Sequence, residues 1–283
     1  MTTEQNWAVP VDDELATASA PWLDGKVALV AGGGLSGPEG GIGFAFAWLC
    51  ARSGARVAIL DRDVAAGQRT VDAIRGAGGE AEVYEVDIVD DASCAATVAK
   101  VMERYGRIDV VGNSIGGGGT RGIFNTSLDD WKRAMDQNFT QAWLLMRNVE
   151  PHMSAGGSIV TISSGAVEGR GPGLPYTIAK TALEKLTRGA ASTLAPRGIR
   201  VNCVRVGMIW GAFAAHGMNQ EQREIRRQNV AMQTEGNNWD IAAAAFFLST
   251  GQARWITGQV LAVDGGGAIP RNVGQAGEKP ALA

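Results

Sequence analysis

Residues 26–43 read KVALVAGGGLSGPEGGIG, and this stretch decides the fold. Residues 26–31 are a short apolar run of the length expected for a strand buried on both faces. The run empties into a glycine-rich loop, Gly32 to Gly43, and residues 44–53 then carry a helical pattern that Gly54 closes. Glycines let backbone amides come close to a pyrophosphate, and a helix starting near Gly43 aims its positive end at the same place. A flexible loop would look similar, so the remainder of the chain has to decide between the two.

The same rhythm repeats downstream. Strand-like runs occur at 56–60, 81–86, 108–111, 158–163, 200–206 and 259–263. Helix-like stretches fall between them at 65–77, 92–105, 127–148, 176–195 and 240–249. Apolar strands alternating with helices predict a doubly wound, Rossmann-type α/β fold, a parallel sheet of about seven strands with helices on both faces. No internal repeat or linker divides the chain. The expected organisation is an irregular extension over 1–22, one domain over 23–267 and a tail over 268–283.

Composition narrows the role. A chain of 283 residues, 45% hydrophobic, can bury one large core. Its net charge of −3 with interspersed signs argues against nucleic-acid binding. No apolar run reaches the roughly 18–20 residues of a membrane span, so no membrane partner is expected. The first residues are polar and acidic, unlike a signal peptide. Cys50, Cys94 and Cys203 lack metal or disulfide spacing. They predict packed thiols, no metal site and a reducing, cytoplasmic setting.

Three positions sharpen the dinucleotide reading. In such a sheet, ligands bind at the carboxyl ends of the strands, where strand order reverses. Asp61 closes the second strand, 18 residues past Gly43, where a carboxylate accepts ribose hydroxyls and repels a 2′-phosphate. That favours NAD and makes NADP the less favoured cofactor, although Arg62 beside it could stack on adenine or accept the phosphate. Asp87 ends the third strand within reach of adenine, or serves as a turn or helix cap. Tyr176 and Lys180, four residues apart, share one helix face. A tyrosine with its pKa near ~10 is a poor acid or base at neutral pH, and a nearby ammonium pulls it down. A solvated helix face would show the same spacing.

In this order, the glycine loop, Asp61, Asp87 and Tyr176-Thr177-Ile178-Ala179-Lys180 resemble the short-chain dehydrogenase/reductase family. Further matching segments are Asn113-Ser114-Ile115-Gly116, Asn138, Ser163-Ser164, Ile199-Arg200-Val201-Asn202, Ile256-Thr257-Gly258-Gln259 and Val263-Asp264-Gly265-Gly266. The resemblance spans about residues 26–267. It implies an NAD(P)-dependent oxidoreductase that interconverts a secondary alcohol and a ketone. Tyr176 would be the general acid/base, Lys180 would tune it and hold the nicotinamide ribose, Ser164 would bind the substrate oxygen, and Asn138 would hold helix geometry and a water. Gly32, Ser36, Gly37, Gly41, Ile42, Asp61, Asp87, Ile88, Asn113, Gly207 and Ile209 would join Tyr176 and Lys180 in contacting the cofactor. A homotetramer is implied, with Ala179, Ala182, Gly189, Ala190 and Ala191 suited to close helix packing.

Several departures bear on this resemblance. Gly32 and Gly41 stand nine residues apart, so the loop is about five longer than the family's Thr-Gly-x-x-x-Gly-x-Gly. A second frame, Ser36-Gly37 through Gly43, also fits, and Glu39 is expected to point away from the phosphates. The usual Pro-Gly is Val206-Gly207, and a threonine is replaced by Gly211, leaving the backbone of Gly207 and Ile209 to hold the carboxamide. Counting back from Tyr176 selects Ser163, whereas the strand end selects Ser164, which is preferred because a deletion can sit at 172–175. Arg205 either binds a substrate anion or forms a structural ion pair.

Residues 208–239 correspond to the family's substrate lid. Met208, Ile209, Trp210, Phe213 and Met218 there suggest a small to medium apolar or aromatic substrate, and Asn219 with Gln222 resembles a capping pair on a helix over 219–233. His216 is a catalytic candidate or an ordinary loop residue. The glycines at 116–119, followed by Arg121, give room beside the nicotinamide or simply make a surface loop. A non-catalytic dinucleotide sensor is the rival reading, though it would not need both Tyr176 and Lys180. Enoyl reductases share a lengthened glycine loop but separate Tyr and Lys more widely.

Overall fold

The computed structural model describes residues 21–118, 122, 124–169, 173–211 and 218–268. The first strand, β1 (Val27–Ala31), is wholly buried, and its five residues point alternately into two cores. Around it runs a seven-stranded sheet in the order β3-β2-β1-β4-β5-β6-β9. Its members are β2 (Arg56–Asp61), β3 (Glu80–Glu85), β4 (Ile108–Asn113), β5 (Met153–Ser164), β6 (Arg200–Val206) and β9 (Val260–Val263). Every pairing is parallel. Strand order therefore reverses at β1 and β4, whose ends are in register at Ala31 and Asn113. The chains leaving these strands diverge and open a crevice.

Helices cover both faces. On one lie α1 (Ile42–Arg52), α2 (Val64–Gly76) and α8 (Asn238–Ser249), packed around Phe44, Ile59, Ile74 and Ile241. On the other lie α3 (Asp91–Tyr105), α5 (Gln141–Val149) and α6 (Leu174–Leu194), around Leu29, Val101, Leu145 and Ile199. Burying each such side chain contributes about 1.5–3 kcal/mol. Local chemistry sets the helix ends. Asp63 accepts from Ala66 N and Asp90 from Ser93 N, both at 3.0 Å, and left-handed Gly106 (φ 73°) ends α3. Asp90, not Asp87, is thus the helix cap after β3.

Three elements differ from expectation by more than one or two terminal residues. The helix expected over 127–148 is α4 (Leu128–Met135), a π turn (Asp136–Thr140) and then α5. Asn138 Nδ2 takes the Ala134 carbonyl at 3.0 Å, the acceptor a regular helix reserves for the backbone amide. Strand β5 starts at Met153, earlier than expected, and its pairing with β4 shifts between Ile108 and Val110. The helix expected over 219–233 is α7 (Gln220–Gln228), shorter because Val230 turns into the core and Met232 N bonds Gly265 O at 3.0 Å. Its expected capping pair is present, with Asn219 and Gln222 each accepting the other's backbone amide. A two-stranded ribbon, β7 (Ile209–Trp210) with β8 (Gly236–Asn237), joins the ends of this segment. Residues 1–20, Phe213, His216, Arg121 and the tail from 269 lie outside the described residues.

Candidate active site

The glycine loop is anchored along its length. Gly32 N donates to Leu60 O at 2.8 Å with φ at +72°, a turn suited to glycine. Thr70 Oγ1 donates to Gly33 O at 2.8 Å, and Leu35 N to Ala66 O at 2.9 Å, so the loop's first part leans on α2. Residues 37–40 form a tight turn (Gly40 N to Gly37 O, 3.0 Å) tied to α8 through Asn238 Nδ2 and Glu39 O at 3.0 Å. The extra length thus loops outward, with exposed Ser36 and Glu39. Gly43 returns the chain onto Gly32, where a Cβ would collide with the Gly32 carbonyl and Ser114 Oγ. Gly41 caps α1 without a side-chain hydrogen bond, and open space surrounds both it and Gly37. Ile42 begins the helix. An uncapped helix start facing open space is a fit for a pyrophosphate.

At the adenosine side, Asp61 Oδ2 accepts Gly34 N at 2.9 Å and Oδ1 accepts Asp63 N at 3.0 Å. A Cβ on Gly34 would sit 2.6 Å from that Oδ2, which explains the glycine. Asp87 is exposed, and its carboxylate accepts only a long bond from Val89 N (3.3 Å) among the described residues, whereas the Ile88 side chain is buried in the core. Arg62 is exposed next to Asp61.

Asn113 is buried, with both ends of its amide engaged. Oδ1 accepts Ile115 N at 3.1 Å, and Nδ2 donates to Gln141 Oε1 at 2.9 Å. Gln141, which the sequence reading missed, also holds Ile115 O at 3.3 Å. Ser114 Oγ donates to Gly32 O at 2.9 Å, so the loop leaving β4 is locked to the loop leaving β1. Gly116 then passes over the active-site candidates. A Cβ there would lie 3.0 Å from Lys180 Nζ and 3.2 Å from Asn138 Oδ1, which also accepts Gly117 N at 3.0 Å.

The candidate acid/base group sits where β5 ends and α6 begins. Tyr176 is 8% exposed, and its phenol lies near enough to the Ser164 hydroxyl for that group to act on its pKa. Ser163, one residue earlier and on the opposite side of the strand, donates to Glu184 Oε1 at 2.8 Å, inside the protein. The geometry therefore brings Ser164, not Ser163, to Tyr176. Lys180 Nζ is buried and donates to Ile162 O at 2.9 Å, 5.8 Å from the centre of the Tyr176 ring. Burial raises the Tyr176 pKa, and the Ser164 hydroxyl pulls it part of the way back. The net direction is opposite to the lowering expected from Lys180. Burial also acts on Lys180, which is pulled down to about 8.

This has a measurable consequence. Between about pH 8 and an unfolded lysine's pKa near 10.4, the unfolded chain holds a proton that folded Lys180 has lost, so stability rises with pH. Buried Cys50, Cys94 and Cys203, all raised from 9.0 by burial, act in the reverse sense from about pH 8 upward, as the unfolded thiols lose their protons. In urea unfolding from pH 8 to pH 9, Lys180 is expected to contribute about 1 kcal/mol of stability, read as the difference between the wild type and Lys180→Met, which shares the opposing cysteines. An identical pH dependence in the two proteins would remove Lys180 as its source.

Arg205 resolves as a structural ion pair. It donates to Glu184 through Nε (2.8 Å) and Nη2 (2.7 Å), and also pairs with Glu168. Glu184 was readable in principle, since it stands one turn beyond Lys180 on the same face. Gly207 packs against Asp264 so closely that a Cβ would collide with it. Both backbone groups of Ile209 are engaged, N with Gly207 O (3.1 Å) and O with Arg226 (3.2 Å). Met208, Ile209, Trp210 and Met218 are half-buried. The three cysteines are free and buried. No described helix is long and apolar enough to cross a membrane.

Known proteins are similar to this chain over most of its length. A family model described as "Enoyl-(Acyl carrier protein) reductase" matches residues 37–267. The 7alpha-hydroxysteroid dehydrogenase of Escherichia coli K12 is 33% identical over 248 residues, 87% of this chain and 95% of its own. The chain belongs to the short-chain dehydrogenase/reductase family. Its enzymes act on CH–OH groups with NAD or NADP, and this chain is an oxidoreductase of that kind. Among solved structures, a 7 alpha-hydroxysteroid dehydrogenase complexed with NADH and 7-oxo glycochenodeoxycholic acid superposes with a TM-score of 0.81 at 33% identity, covering 87% of this chain and 95% of that one. A short-chain dehydrogenase from Burkholderia cenocepacia in complex with NADP gives 0.79 at 31%, covering 87% and 99%.

Proposed function

We propose that this chain interconverts a secondary alcohol and its ketone, prefers NAD(H), and takes a small to medium apolar or aromatic substrate. The observation that carries the reading is the convergence of the Tyr176 phenol and the Ser164 hydroxyl where β5 ends and α6 begins, with buried Lys180 5.8 Å from the Tyr176 ring. The family model's description names an enoyl reductase, but the four-residue separation of Tyr176 and Lys180 favours alcohol–ketone chemistry.

The open surroundings of Gly37 and Gly41 and the uncapped start of α1 at Ile42 support a pyrophosphate seat. Gly32 and Ser36 flank it, Asp61, Asp87 and Ile88 serve the adenosine, and Asn113, Tyr176, Lys180, Gly207 and Ile209 serve the nicotinamide half. Bound there, the dinucleotide supplies the two-electron acceptor or donor. Tyr176 moves the proton at the substrate oxygen. Its raised pKa keeps the phenol protonated at neutral pH, the form that donates to a ketone. Ser164 holds the same oxygen and stabilises developing negative charge. Lys180 adds positive potential beneath the phenol, and Asn138 fixes the glycine segment over it.

The half-buried Asp61 carboxylate supports NAD, since its charge opposes a 2′-phosphate. In Asp61→Ser, the ratio of kcat/KM for NAD over NADP is expected to fall about tenfold or more. An unchanged ratio would place the preference elsewhere. The buried free thiols suit the cytoplasm. A homotetramer is supported by partly exposed Ala182, Gly189 and Ala190 on α6 and by an apolar edge at β9, where Leu261 and nearby Trp255 are exposed. A monomer mass by light scattering would rule it out.

A further inference from the structure

Helix α7 carries three arginines whose surroundings differ. Arg223 donates to Glu235 through Nε at 2.7 Å and lies over the Trp210 ring, 4.0 Å from its centre. Arg227 donates to Glu224 through Nε at 2.8 Å and Nη2 at 2.7 Å. Arg226, between them in sequence, has no carboxylate within 4.0 Å among the described residues. Its Nη2 donates to Ile209 O at 3.2 Å and its Nη1 to Met218 Sδ at 3.3 Å. A guanidinium offers five donors in a rigid fork, and a carbonyl plus a thioether satisfy it poorly. The side chain is half-buried, and burial lowers its pKa while Glu235, already committed to Arg223, works against that. Partly desolvating a cation against neutral acceptors is unfavourable unless an anion arrives.

The position indicates where that anion would come from. Ile209 stands three residues past Val206, which is in register with Ser164. Three residues of about 3.3 Å and one strand spacing of about 4.8 Å place the Ile209 backbone within roughly 15 Å of Ser164. One turn earlier on α7, Arg223 feels the charge of Glu39 at the tip of the glycine loop. This side of α7 therefore lies between the glycine loop and the end of β6.

We propose that Arg226 is an anion-binding residue of the crevice, its guanidinium receiving a carboxylate of the substrate or a phosphate of the dinucleotide. The proposal rests on the dinucleotide reading above and adds a charged group to the apolar substrate side.

The test uses the whole protein and the variants Arg226→Met and Arg226→Lys. No residue of α7 is buried, so both variants are expected to keep the wild-type melting temperature. Calorimetry measures NADH binding, then inorganic pyrophosphate on the free protein and benzoate on the NADH complex. The proposal predicts that Arg226→Met loses roughly tenfold or more in affinity for one of these anions, with partial recovery in Arg226→Lys. Losses for NADH and pyrophosphate identify the phosphate source. A loss confined to benzoate identifies a substrate carboxylate. Affinities unchanged within twofold for all three would overturn the proposal. A wild-type protein that binds no NADH would sink the dinucleotide reading instead, and titrations of pyrophosphate and benzoate on the free protein would still decide the role of Arg226.

Discussion

Tyr176→Phe is expected to lower turnover by about 10³-fold while changing the Kd for NADH by less than about twofold. The substitution removes one oxygen from a ring that is 8% exposed, so the packing of α6 against the end of β5 stays intact. In the proposed mechanism, what disappears is the group that exchanges a proton with the substrate oxygen. Ser164→Ala should act in the same direction but more weakly, since it removes a stabilising donor and leaves the proton carrier. Stopped-flow measurement of NADH oxidation with a ketone substrate, beside a fluorescence titration of NADH, separates chemistry from binding. Wild-type turnover in Tyr176→Phe would refute the assignment of the acid/base role.

The largest effect on stability is expected from Glu184→Ala. The Glu184 carboxylate is 11% exposed and serves Ser163 Oγ, Arg205 Nε and Arg205 Nη2 at once. Removing it strands a partly buried guanidinium, whose remaining carboxylate, Glu168, is more exposed. Breaking a buried pair from one side costs about 3–5 kcal/mol, whereas replacing both partners by apolar groups can be nearly neutral. Urea denaturation should show a loss of that size for Glu184→Ala and a clearly smaller one for Glu184→Leu combined with Arg205→Met. A single-variant loss below about 1 kcal/mol would mean that water already screens the pair.

These two sites show how far the amino-acid sequence could be read. The strands were legible because β1, β2, β4 and β6 are nearly buried on both faces and so appear as unbroken apolar runs. Tyr176 and Lys180 were legible because helix periodicity alone puts them on one face. The choice between Ser163 and Ser164 was open, because strand alternation sends neighbours to opposite sides without saying which side holds the site. In the structure Ser163 bonds Glu184 inside the protein. Arg205 faces the same way because it is in register with Ser163, and that register exists only once β5 and β6 are paired.

Other features depend on contacts that no local pattern carries. The π turn at Asn138 arises from side-chain bonds to Ala134 and Gly117, the latter 21 residues away. The lengthened glycine loop is held by Asn238, 199 residues from Glu39. The Tyr176 pKa was expected to fall, and it rises because burial of the phenol outweighs the lowering from Ser164.

The most direct test of the central claim follows the absorbance of reduced nicotinamide when the protein is mixed with NAD and a broad panel of secondary alcohols, with Tyr176→Phe run in parallel. The account predicts NAD reduction with at least one alcohol and its loss, by about 10³-fold, in the variant. Tight NAD binding with no turnover across the panel, in either direction, would contradict it and identify a dinucleotide sensor.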